Sequence, residues 1–153
     1  MAVNPMPADY PGVTPHLYCK DAVNLIDFYK TAFGANELYR LVMPDGRIGH
    51  AELLLGGGRF MLADEFPEWG CVSPLTVGGT ASSLMVYVAD VDAFAAQAIA
   101  AGATVLMPVA DQFYGDRSCK LRDPSGHVWM FATRIAEVPV EEMQKRCDAM
   151  GDS

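Results

Sequence analysis

His50-Ala51-Glu52 is the segment of this chain whose residue types and spacing most directly suggest chemistry. On a strand, side chains two apart share a face about 7 Å from each other. An imidazole and a carboxylate so placed could exchange a proton or orient a ligand hydroxyl. His16, another of the three histidines, lies in a short alternating segment. With His50 and Glu52 it could build a divalent-metal site. A surface histidine beside a surface glutamate would also satisfy the pattern. His-x-Glu opens the zinc deaminase signature, but no Pro-Cys-x-x-Cys follows. Gly56-Gly57-Gly58 lacks the Gly-Lys-Ser/Thr of a phosphate loop. No Gly-x-Ser-x-Gly elbow occurs, and Cys71 has no base nearby in sequence, so nothing supports a nucleophilic enzyme. Arg117 could meet an acidic ligand group or form a salt bridge. Trp69 could cap a cleft, and His127 reads as a surface residue beside a turn.

The 153 residues carry 11 Lys/Arg against 19 Asp/Glu, a net charge of −8. That balance argues against nucleic-acid binding, which needs a basic face. Apolar residues make up 51%, enough for a packed core. The most apolar stretch, 81–109, is interrupted by Asp90, Asp92 and Gln97, so no membrane span is expected. The first cation is Lys20. A basic leader is therefore not expected, and the cytoplasm is the expected compartment. Cys19, Cys71, Cys119 and Cys147 are scattered and read as reduced thiols.

The elements that must position these groups come in two similar runs. Residues 1–12, with three prolines, read as an extended lead-in. A strand over 14–20 and a helix over 21–33 follow, the helix capped by Asp21 and stopped by Gly34. Strands are expected over 37–43, 47–55 and 59–64. After a loop the order recurs: strand 82–89, helix 90–101, then strands 104–108, 117–122 and 127–133. A last helix covers 140–150. Asp21 and Asp90 are 69 apart, and Gly34 and Gly102, Leu53 and Leu121, and Gly58 and Gly126 are each 68 apart. This is one βαβββ module written twice. The modules occupy 13–66 and 81–136, joined by a loop over 67–80 and followed by a helix and tail over 137–153. The fold class is α+β, with two curved mixed sheets around a cleft and a C-terminal helix.

Strand alternation divides each sheet into two faces. One set is apolar and belongs under the helices: Leu17, Cys19, Ala51, Leu53, Leu55, Met61 and Ala63, then Leu84, Val86, Val88, Cys119, Leu121, Trp129 and Phe131. The other mixes aromatic, thioether and charged groups, as a ligand cavity does. Candidate ligand contacts are His16, Tyr18, His50, Glu52, Phe60, Met85, Tyr87, Tyr114, Arg117, Lys120 and Met130. Candidate catalytic residues are His50 and Glu52.

Phe28-Tyr29, and Asp123-Pro124-Ser125-Gly126-His127 before the last strand, set in two βαβββ copies, resemble the vicinal oxygen chelate superfamily of glyoxalases, extradiol dioxygenases and bleomycin-binding proteins. Residues 12–136 carry the resemblance. Gly49-His50-Ala51-Glu52-Leu53 after Pro44-Asp45-Gly46, Phe113-Tyr114-Gly115-Asp116-Arg117, and Glu141-Glu142-Met143-x-x-Arg146 resemble its PhnB-like branch. The resemblance implies a cleft usually completed in a homodimer. It also implies four metal-binding positions, which here fall on Thr14, Leu62, Ser83 and Met130. None bears an imidazole or carboxylate, the donors that Zn, Ni or Fe would need. The leading expectation is thus a small-molecule-binding protein without the metal and with no cofactor. The alternative is a lyase, isomerase or dioxygenase using a relocated divalent metal at His16, His50 and Glu52, or metal-free His/Glu acid–base catalysis.

Overall fold

A computed structural model describes residues 2–151; residues 1, 152 and 153, the ends of the expected lead-in and tail, lie outside it. A boundary between Gly79 and Thr80 divides the chain into two compact units. In the first, β1 (His16–Cys19) leads to α1 (Ala22–Phe33), β2 (Asn36–Val42), β3 (Ile48–Leu55) and β4 (Gly58–Asp64). A 3₁₀ turn (Pro67–Trp69) and the short α2 (Pro74–Val77) occupy the expected loop. The second unit contains β5 (Ser83–Tyr87), α3 (Val91–Ala100), β6 (Thr104–Asp111), β7 (Asp116–Arg122), β8 (Val128–Arg134) and α4 (Val140–Gly151). The sheet orders are β1-β4-β3-β2 and β5-β8-β7-β6. In each sheet the first and last strands of the module pair in parallel and the rest are antiparallel.

The first helix starts where its sequence says it should. Asp21 Oδ1 accepts the Asn24 N–H at 3.4 Å, and Gly34 ends the helix at φ 68°. Its apolar stripe, including Ile26, Tyr29 and Phe33, is buried against the sheet. Asp64 links helix and sheet: one oxygen accepts the Ala22 N–H at 2.8 Å, the other the Ile48 N–H at 2.7 Å. The second unit makes a similar link with a hydroxyl. Thr133 Oγ1 accepts the Val91 N–H at 2.9 Å and donates to the Val88 carbonyl at 2.8 Å. Trp129, Phe131 and Leu121 form the core beneath α3.

The Asp123-Pro-Ser-Gly turn is architectural. Asp123 accepts from the backbone N–H groups of Ser125 and His127 and from Trp129 Nε1, at 2.9, 3.0 and 2.9 Å. His127 is consequently buried, against the expectation of a surface residue. Strand β6 passes through Pro108, where the sequence suggested a stop. It is an edge strand with register shifts on either side of Met107, and edges and bulges tolerate proline.

The largest revision concerns β4. The register pairs Glu52 with Met61 and Leu53 with Phe60. Paired residues share a face, so Met61 and Ala63 stand with Glu52 and His50, while Phe60, Leu62 and Asp64 lie on the helix side. This reverses the expectation for the strand. Phe60 is 4% exposed and meets Tyr29 edge-on at 5.5 Å, so it is not on the candidate ligand face.

Candidate functional site

Each sheet turns one face away from its helix, and both faces hold a buried carboxylate. On the first unit one row across β2-β3-β4-β1 reads Tyr39, Glu52, Met61, His16. A register shift before Tyr39 brings it opposite Glu52. Glu52 is 1% exposed. Its oxygens accept the hydroxyls of Tyr10 and Tyr39, each at 2.6 Å, and Arg59 Nη1 at 2.7 Å. His50 Nε2 lies 3.2 Å away. Burial pushes the Glu52 carboxyl upward, but hydrogen bonds from Tyr10, Tyr39, Arg59 and His50 outweigh it and bring its pKa to about 2. The Tyr39 hydroxyl, donating a hydrogen bond to Glu52, is pushed up to about 12.

The His50 ring lies 5.8 Å from both His16 and Tyr39, centroid to centroid. His16 stands 5.0 Å from Tyr18. Desolvation and then the neighbouring His50 hold the His16 pKa below its ordinary value. Bonding to Cys71 raises that of Tyr18. His16, Tyr18, His50 and Glu52 are therefore brought together as the sequence suggested. Tyr10, Tyr39 and Arg59 were missed. Tyr10 stands in the proline-rich lead-in, where no periodicity assigns a face, and Tyr39 depends on the register shift.

On the second unit the corresponding row is Met107, Lys120, Met130, Met85. Beside it lies a cavity of about 300 Å³ lined by Met85, Tyr87, Tyr114, Asp116, Met130, Arg134, Ala136, Glu137, Val138 and Met143. Four expected contacts, Met85, Tyr87, Tyr114 and Met130, line it. Asp116, 2% exposed, accepts the Tyr87 hydroxyl at 2.6 Å and Arg134 Nε at 3.3 Å. Asp116 and Arg117 do not pair with each other, because neighbours on a strand point to opposite faces. Lys120 shares the Met130 face but is not among the lining residues. Arg117 lies on the helix side, 2.7 Å from Asp92 and 2.8 Å from Asp111. Its structural reading holds, and it leaves the ligand set.

The segment after β8 forms one wall of this cavity. The Ile135 and Ala136 N–H groups both donate to the Gly115 carbonyl, at 2.9 and 3.0 Å. A Cβ at Gly115 would stand 2.4 Å from the Ala136 oxygen, and its φ of 101° also favours glycine. Arg146 of α4 bonds Glu142 at 2.7 Å and the Phe113 carbonyl at 2.9 Å. Phe113–Arg117 and the Glu142/Arg146 pair thus form one structural joint.

The family model of the Glyoxalase/Bleomycin resistance protein/Dioxygenase superfamily matches residues 13–131. The chain belongs to this superfamily. An uncharacterized protein of Mycobacterium bovis is 40% identical over 99% of both chains. The crystal structure of TioX from Micromonospora sp. ML1 matches with a TM-score of 0.63 at 29% identity, covering 84% of this chain and 99% of that one. FosX of Listeria monocytogenes, a fosfomycin resistance protein solved with Mn(II) and sulfate, matches with a TM-score of 0.61 at 20% identity. It covers 90% of this chain and 98% of its own, and at that identity it shares the fold.

The superfamily's metal can be tested against the donors this chain supplies. The β4–β3 and β8–β7 registers make Met61, not Leu62, the counterpart of Met130. The four positions are then Thr14, Met61, Ser83 and Met130. Hydroxyl and thioether groups do not fit a Zn, Ni or Mn site. Among the described residues no three His, Cys, Asp or Glu side chains are grouped to hold a metal ion. In the alternative set of His16, His50 and Glu52, both Glu52 oxygens are already engaged.

Proposed function

We propose that this superfamily member binds a small apolar molecule against the sheet of its second unit, without the metal ion, in the manner of a sequestering or resistance protein. The observation that carries this reading is the cavity whose lining includes Met85, Met130 and Met143 with Tyr87 and Tyr114. Its volume of about 300 Å³ is at the lower end for small-molecule sites. Thioethers adapt to irregular ligands and make favourable contacts with aromatic rings. The Asp116–Arg134–Tyr87 cluster gives one end polarity, which suits a ligand with a single polar group. The Phe113–Arg117 joint with α4 supports membership of the PhnB-like branch.

A homodimer belongs to the same proposal. Leu41 and Val42 on β2, and Met107 on β6, are at least half exposed on edge strands that a second copy could cover. Sedimentation as a monomer at micromolar concentration would remove this part. Among the described residues no helix is long and apolar enough to cross a membrane. A cytoplasmic location is proposed on the four scattered cysteines, which read as reduced thiols.

The deciding experiment is a thermal-shift screen of uncharged aromatic compounds, run beside elemental analysis after incubation with Ni, Zn, Mn and Fe. We expect shifts that Met130→Lys abolishes, and no retained metal. One retained metal equivalent per chain, or no shift with any compound, overturns the reading.

A further inference from the structure

Binding in the second unit makes no use of the first unit's carboxylate, which is buried and yet ionised. Both Glu52 oxygens are occupied by Tyr10, Tyr39 and Arg59, so the group is a fixed acceptor and not a proton carrier. An ionised carboxylate can only accept, so the His50 nitrogen 3.2 Å away, Nε2, must carry the hydrogen. In the neutral ring the lone pair then resides on Nδ1. Nδ1 has no hydrogen-bond partner among the described residues, and the His50 side chain is 24% exposed.

From this arrangement we propose that His50 is a general base, held in its reactive tautomer by Glu52, that takes a proton from an uncharged carbon acid. The carboxylate–imidazole pair plays the orienting part known from hydrolytic triads, here without a nucleophile. As Nδ1 gains the proton, the imidazolium is stabilised by the charge of Glu52. The groups facing His50 are His16 and Tyr18 from β1, Tyr39 from β2 and Glu52 beside it, with Arg59 and Tyr10 behind Glu52. His16 is held toward its neutral form, so it places no cation beside the base. Arg59, the cation beside this face, is engaged by Glu52 and lies 3.8 Å from Asp9, so it is not free to hold an anionic substrate. The surrounding rings and Met61 suit a flat neutral molecule whose C–H bond is acidified by an electron-withdrawing neighbour.

The probe is 5-nitrobenzisoxazole. Its ring C–H proton passes to Nδ1, the C–H electrons complete a nitrile, and the N–O bond breaks to release a yellow phenolate. The imidazolium then returns its proton to water. Full-length protein should accelerate this elimination, with a rate that falls as acid protonates an imidazole. His50→Ala should lose about 100-fold in kcat/KM. Lys145→Ala should stay within about 3-fold, since Lys145 is an exposed residue of α4 in the other unit. Glu52→Gln, with its fold checked by circular dichroism, should lower kcat more than KM and alter the pH profile. Nitrogen NMR of the parent protein provides a readout that does not depend on that variant folding: His50 should be protonated at Nε2 and bare at Nδ1. A parent no faster than His50→Ala, or a ring protonated at Nδ1, overturns the proposal. The elimination is read at His50 in the first unit and the thermal shift at the cavity of the second, so loss of either with the other retained separates failure here from failure of the binding reading.

Discussion

The same row of two similar sheets reads Tyr39, Glu52, Met61 and His16 in one unit, and Met107, Lys120, Met130 and Met85 in the other. The strand pairings are the same, the helix-side cores are alike, and the opposite faces have diverged. Each unit keeps a buried carboxylate held by tyrosine and arginine. In the first it stands in the middle of β3, ringed by Tyr10, Tyr39, Arg59 and His50. In the second it stands at the start of β7, held by Tyr87 and Arg134. In the second unit Lys120 stands where Glu52 stands in the first, and the other three positions of the row are methionines. The duplicated framework thus carries a polar, hydrogen-bonded face and an apolar, concave one.

The sharpest way to break this comparison is to remove the two carboxylates in turn. Glu52→Ala strands a guanidinium and two tyrosine hydroxyls and should cost about 3–5 kcal/mol in urea unfolding. Asp116→Ala strands fewer groups and should cost about 1–3 kcal/mol. Equal costs would mean that the two clusters are energetically alike. A second test sharpens the comparison through pH. The folded-state pKa of Glu52 lies at about 2, below its ordinary 4.5. Its contribution is therefore present above the ordinary value and lost as pH falls from about 4.5 toward about 2. Glu52→Gln should flatten that part of the stability–pH curve; a curve as steep as the parent's would contradict the assignment. The smallest effect belongs to Arg117→Ala. Its partners Asp92 and Asp111 are solvent-exposed, so neither Tm nor ligand shift should change measurably. A lost ligand shift would return Arg117 to the binding face.

Much of the frame was legible in the chain. Asp21 and Asp90 cap their helices and Gly34 ends the first, because capping is local and depends on a few adjacent residues. The nearly constant offset between modules was legible for the same reason. The candidate site was legible in part. His50 and Glu52 announce themselves by spacing, while Tyr10 comes to its cluster from a segment without periodicity and Asp116 lies one residue before the strand expected over 117–122. Arg117 was ambiguous because a lone cation reads alike toward a ligand or toward Asp92.

The sequence by itself determined the two modules and their elements, since these follow from residue identity and local pattern. The tertiary structure alone decided which face each β4 residue takes. Phe60, Met61, Leu62 and Ala63 are all apolar, so alternation offers no contrast. Only the pairing of Glu52 with Met61 chooses the face. It also decided that Glu52 is an ionised anchor rather than a proton donor, because that depends on groups 42, 13 and 7 residues away along the chain.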